Sequence, residues 1–265
     1  MNMYLHELKA YRKSTLTWAV SLAFVTALLM SLFPTFSSSM EELKKIFEGF
    51  PPEILRAFGI SPEALSVFLG FYSFIFMYIT LCGAIQAMNL GTSLVSKEGT
   101  LKTADFILTK PVSRPRIITA KLAAGLTSIF ITDVVFIVVA FSMAAIVNTD
   151  SYDVGKFILM SLTLPFVQLM FFSLGLLVSV LATKIKSVIS VSLSTVFAFF
   201  IISMIRAALE DNRLRYLTPF DYFNYDYIIR NTAYEPSFVI IGAAFVVSSV
   251  VASYIIFSKK DIHAV

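Results

Sequence analysis

Side chains able to do chemistry are few in this sequence, and they are poorly spaced to work together. His6 and His263 stand at opposite ends, and Cys82 is the only cysteine. A single thiol can form neither an intrachain disulfide nor a cysteine metal cluster. No H-E-x-x-H is present to hold zinc on a helix face, and no G-x-S-x-G to present a serine nucleophile. The ten glycines build neither G-x-x-x-x-G-K-[ST] nor G-x-G-x-x-G, so no loop cradles nucleotide phosphates. Asp133 is the conspicuous group that remains. It sits inside the apolar stretch SIFITDVVFIVV. A carboxylate in hydrocarbon costs about 3 kcal/mol or more, so it needs a partner. Gln168, at a similar depth in the next apolar run, is the expected one. The pair reads either as a substrate or proton contact or as a satisfied hydrogen bond between helices.

The elements that would carry these residues are read from composition. Hydrophobic residues make up 57% of the 265 and charged residues only 14%, with a mean hydropathy of +0.81. A soluble domain of this length could not bury so much apolar surface, whereas a helix of about 20 apolar residues crosses a bilayer. Six runs are long enough: 16–33, 65–88, 122–147, 157–182, 188–205 and 238–257. In lipid each must satisfy its own backbone, which makes it a helix. The fold class is therefore all-α, one polytopic membrane domain of six spans over 1–265. Pro165 predicts a kink or break in the fourth span. The first run is too long for a typical signal-peptide core and is read as a span. The residues before it alternate apolar Met1, Tyr4, Leu5 and Leu8 with polar groups, which predicts an interfacial N-terminal helix. Gln86 and Asn89 are expected near the inner surface.

Orientation follows from the basic residues. With the N-terminus inside, segments 1–15, 89–121, 183–187 and 258–265 hold 13 of 21 Lys and Arg but 4 acidic residues. The outer segments hold 8 basic and 12 acidic ones. Both termini are thus expected in the cytoplasm of a cell carrying this chain in its cytoplasmic membrane. The net charge of +4 is sorted by membrane side and does not mark a nucleic-acid binder. Two outer segments are long. Residues 34–64 contain four prolines and a predicted short helix over 40–47, and residues 206–237 are rich in Tyr and Phe. The aromatics predict either a headgroup belt or a cap.

Segment 96–116 is basic and helix-capable. Ser96 or Thr100 could cap a helix running to Lys110, with Leu101, Ala104, Ile107 and Leu108 along one face. Pro111 would end it. Arg114, Pro115 and Arg116 would form a basic turn, with the third span starting near Ile117 and Lys121 snorkelling at the interface. Small residues recur at i, i+4, among them Gly175 and Ser179, and permit close helix contact.

The run TADFILTKPVSRPRIITAKL resembles the segment between the second and third spans of ABC type-2 exporter permeases. Those show an acidic residue, Thr, an apolar stretch, Pro-Val/Ile-Ser-Arg, an apolar pair and Lys. Thr103 stands eight residues before Pro111, as in that pattern, whereas Gly99-Thr100 is three residues out of register. Lys102 is a departure from it. Glu98 matches the acidic position, and Arg114 and Lys121 match the basic ones. LRYLTPFDYF at 214–223 and FSKKDI at 257–262 are similar to the family's approach to its last span and to its basic ending.

The resemblance implies a cytoplasmic coupling helix docked on a separate ATPase, through Glu98, Thr103, Phe106, Ile107, Lys110, Pro111 and Arg114. It further implies two ATPase copies carrying ATP and Mg2+, and a second permease chain, identical or not. This chain would be the non-catalytic subunit, bind no cofactor, and move a substrate outward. The alternatives are an ATP-independent secondary transporter, for which only Asp133 offers a coupling charge, and a membrane sensor or assembly protein.

Overall fold

The computed structural model describes residues 3–100, 114–147, 151–182 and 184–259, with the backbone alone at 97–100. Among these residues the chain is helical and contains no strand. Six helices are long and apolar enough to cross a membrane. They are Met3–Met30, Phe68–Thr100, Arg114–Val147, the two-piece helix Val154–Ser161 and Thr163–Leu181, Val188–Leu209, and Pro236–Lys259. Each falls on one of the six apolar runs, and we call them the first to sixth spans.

Several helices outrun the apolar stretches that suggested them. The second span has 33 residues. At about 1.5 Å per residue it is roughly 50 Å long, against about 30 Å of hydrocarbon. Ser96 therefore lies inside a helix and does not cap one: its hydroxyl donates to the Thr92 carbonyl four residues back, at 2.6 Å. The N-terminal stretch is helical, as expected, but it continues without a break into the first span.

The second and fourth spans form the centre, packed along much of their length. Small residues make this possible. A Cβ on Gly91 would stand 2.2 Å from the Phe172 carbonyl oxygen, and one on Gly175 would stand 2.6 Å from that of Met88. The two backbones thus touch at two points, each helix supplying one glycine. The third span lies along the first, the fifth against the second, and the sixth against the fourth. The Phe172 ring fills the space beside Gly125 of the third span, where a Cβ would stand 2.6 Å from it.

The fourth span breaks at Leu162, three residues before Pro165. Proline has no N–H to give the Ser161 carbonyl, and its ring crowds that group. The Ser161 side chain is held by the Tyr72 hydroxyl at 2.8 Å, and Tyr234 donates to the Leu159 carbonyl at 2.6 Å.

At the end of the bundle away from the termini, residues 33–65 form a strap. Its helices are Phe33–Ser38, Met40–Phe47, Pro52–Ala57 and Pro62–Leu65. The second of these lies where the sequence placed one. The strap crosses from the first span to the fifth, where Pro52–Ala57 rests, and returns to the second. Residues 210–235 form a neighbouring cap of two 3-10 turns and the helix Tyr225–Asn231. The aromatic residues at its centre do not form a belt. Phe220, Tyr222 and Phe223 are buried against Phe171, Phe200, Phe166 and Phe238. Tyr216 alone of this group is exposed, at 59%.

The glycine contacts give a direct test. Gly91→Ala and Gly175→Ala should each destabilise the protein by about 1–3 kcal/mol or more through overpacking. Gly49→Ala should be tolerated, because its Cβ would meet nothing nearer than 3.4 Å. Thermal unfolding in detergent separates the three, and equal midpoints would contradict the packing.

Candidate functional site

Of the residues expected to dock a partner, Thr103, Phe106, Ile107, Lys110 and Pro111 lie outside the described residues. Glu98 belongs to the last turns of the second span. Arg114 opens the third span, three residues earlier than expected, with Pro115 and Arg116 in the first helical turn rather than in a separate basic turn. Proline is tolerated there because the first turn has no use for its missing N–H. The Arg114 guanidinium donates to the Ser258 carbonyl in the last turn of the sixth span, at 3.4 Å. One turn on, the Thr119 and Tyr254 hydroxyls meet at 2.8 Å.

Lys121 does not snorkel. It is 3% exposed, and its Nζ stands 2.9 Å from Glu7 Oε1 on the first span. Two turns further, the Tyr4 and Thr127 hydroxyls meet at 3.0 Å. At the end of the bundle carrying both termini, the third span is therefore tied to the first on one side and to the sixth on the other. Glu7 was not legible as a site residue. Its partner is 114 positions away, and an acidic residue in a short basic stretch carries no mark of burial.

Near the middle of the third span, Asp133 meets the expected partner. Asp133 is 5% exposed and Gln168 is fully buried. With its amide nitrogen turned toward the carboxylate, Gln168 donates to the two Asp133 oxygens at 2.7 and 3.1 Å. Gly83 leaves the room for this, since a Cβ there would press on Leu164 and on the Gln168 amide. Gln86 joins the group, donating to the Thr132 hydroxyl at 3.0 Å. It is buried between helices and does not stand at a helix end, since the second span runs on to Thr100. A narrow cleft of about 10 Å³, with Ser14, Trp18, Gln86 and Asn89 among its walls, reaches the group from between the first and second spans. That is room for one water. Three helices thus meet in a buried set of hydrogen-bonding side chains, with a carboxylate at its centre.

The stretch 214–223 is a knot joining the fifth and sixth spans. Arg215 grips Glu235 with two bonds of 2.7 and 3.0 Å and donates to the Asp221 carbonyl at 2.9 Å. Its guanidinium also lies 4.0 Å over the Phe238 ring. Asp221 Oδ1 accepts from Ser203 at 2.9 Å and from Arg206 at 3.1 Å, both on the fifth span. Burial pushes the Asp221 carboxyl up, while the Arg206 guanidinium and the Ser203 hydroxyl pull against that shift. Thr218 donates to the Phe199 carbonyl at 3.0 Å, and Tyr222 donates to the Tyr216 carbonyl at 3.1 Å. Among the described residues no group of three His, Cys, Asp or Glu could hold a metal ion.

The Lys121–Glu7 pair predicts an asymmetric result. Removing one partner strands a buried charge, so Lys121→Met alone should lose about 3–5 kcal/mol. Glu7→Leu combined with Lys121→Met should recover most of that loss. Unfolding midpoints of the wild type, the single variant and the double variant form the measurement. A double variant as unstable as the single would refute the ion-pair account.

Among curated proteins, none matches the chain. The family model described as "ABC-2 family transporter protein" matches residues 1–262, nearly the whole sequence. Six apolar helices agree with that match. The chain is a multi-pass membrane protein and belongs to the ABC-2 transporter family.

Proposed function

We propose that this chain is the permease subunit of an exporter in the cytoplasmic membrane, with both termini in the cytoplasm. Two copies of a separate ATPase hold ATP and Mg2+ and supply the energy. A second permease chain completes the pump. Substrate leaves from the cytoplasm or the inner leaflet.

The observation that carries this reading is the anchoring of the third span at the end where the coupling segment enters it. Arg114 and Thr119 fasten it to the sixth span, and Glu7 and Tyr4 fasten the first span to it. A displacement applied just before Arg114 would reach three spans at once. A rigid helix seated on a partner turns rotation of that partner into span movement. The coupling segment would seat on the ATPase through Glu98, Thr103, Phe106, Ile107, Lys110, Pro111 and Arg114. The same third span carries Asp133. Its bond to Gln168 would register the third span against the fourth, in keeping with the neutral, hydrogen-bonding surroundings of that carboxylate.

Two experiments test this. The chain carrying Phe106→Ala and Lys110→Ala, which keeps the Arg114 bond to Ser258, should unfold at the wild-type midpoint, fail to copurify with its ATPase, and lose about tenfold or more of the stimulated ATP turnover. Retained copurification with full turnover would sink the docking role. Asp133→Asn, which keeps a hydrogen bond to Gln168, should change stability little. Asp133→Leu leaves the buried amide unsatisfied and should lose about 1–3 kcal/mol. Export that survives Asp133→Leu would separate Asp133 from the transport cycle.

A further inference from the structure

The strap presents large apolar side chains that no other described residue covers. Helix Met40–Phe47 turns Met40, Leu43 and Phe47 toward the core. Beyond it, Ile46 is 57% exposed, Phe50 51%, Ile54 45% and Phe58 43%. These side chains surround the turn Phe50-Pro51-Pro52, which has no charge.

We propose that this turn and its apolar neighbours are inserted into the lipid leaflet at that end of the bundle. Two independent observations point to lipid. The first is continuity with the bilayer-facing surface. Helix Pro52–Ala57 rests on the fifth span, and Arg56 reaches Glu210 at that span's end, at 3.2 Å. Ile201, Ile205 and Leu209 form an exposed stripe leading up the fifth span to the same point. The strap also cannot lift away freely, because Tyr78 of the second span donates to the Phe58 carbonyl at 3.2 Å.

The second observation is the backbone of the turn. Hydrocarbon penalises every backbone N–H and C=O that lacks a partner. Gly49 N–H donates to the Ile46 carbonyl at 3.2 Å, and Phe50 N–H donates to that of Phe47 at 3.0 Å. Pro51 and Pro52 have no N–H to satisfy. The Pro51 carbonyl accepts from Ile54 and Leu55 at 3.0 and 3.3 Å. From Gly49 to Pro52 every amide donor is bonded or absent, so the turn brings only the Gly49 and Phe50 carbonyls without a backbone amide, and the headgroup zone can meet those. The charged groups Lys44, Lys45, Glu48 and Glu53 flank the turn in the sequence, so insertion would be shallow, with the charges left among headgroups and water. The inference stands apart from the transport reading, because it concerns only where the strap meets the bilayer.

Trp18 is the only tryptophan, which permits a clean probe. Full-length chain carrying Trp18→Phe and Phe50→Trp is placed in nanodiscs of phosphatidylcholine and phosphatidylglycerol, so both faces meet the buffer. A matched sample uses lipid brominated near the headgroup end of its acyl chains. Fluorescence should fall about twofold or more with brominated lipid and resist iodide in the buffer. Ile54→Trp in the same background should behave alike, and it keeps the test open if the first variant folds poorly. Glu41→Trp, on the charged face, should show the reverse. If iodide but not bromolipid quenches the Phe50→Trp and Ile54→Trp variants, the proposal is overturned in favour of an aqueous loop. Quenching of these variants by neither agent would overturn it in favour of a covering protein or a second copy of the chain.

Discussion

Everything in this fold is hung on the contact between the backbones of the second and fourth spans. In lipid, apolar side chains gain nothing by leaving hydrocarbon, so helices associate where they can come close enough for dense van der Waals contact. Gly91 and Gly175 grant that approach at two points. The same closeness brings Gly83 beside Gln168 and so decides where the buried amide can point. The remaining spans then use the outer sides of this central pair. The fifth takes the second span's flank, the sixth takes the fourth's, and the first and third attach as a pair.

The two ends of the bundle are fastened by different means. Where the termini lie, the ties among the described residues join the third span twice to the first and twice to the sixth. They include a buried ion pair, two hydroxyl contacts and one guanidinium on a helix-end carbonyl, and Ser93 of the second span also donates to the Tyr11 hydroxyl of the first at 3.2 Å. At the other end, Arg215, Asp221, Arg206 and Glu235 are interleaved with packed aromatic rings, so no single bond carries the join. Interlocked networks of this kind hold one arrangement.

Much of this was legible in the residues. The six apolar runs fixed the number of spans, since lipid leaves an apolar run no other backbone solution. Pro165 announced the break, and the expense of a carboxylate in hydrocarbon pointed from Asp133 to Gln168. What escaped was whatever depends on a partner far along the chain. Glu7 looked interfacial until Lys121 was beside it. Gln86 looked like a span end because the polar residues after it end the apolar run, yet they do not end the helix. The aromatic segment was ambiguous because a ring that prefers headgroups also packs well under a cap. Gly91 carried no signal beyond being small.

The break at Leu162 divides the fourth span into pieces with different allegiances. The longer piece is locked to the second span by its glycine. The shorter piece is held by the cap, through Tyr234 on the Leu159 carbonyl, and by Tyr72 of the second span on Ser161. Pro165 removes one rung of the helix ladder at the seam. What bridges the halves there is the Leu162 amide on the Ile158 carbonyl and the Thr163 hydroxyl on that of Met160, so a change of angle strains two bonds instead of a full turn of the ladder.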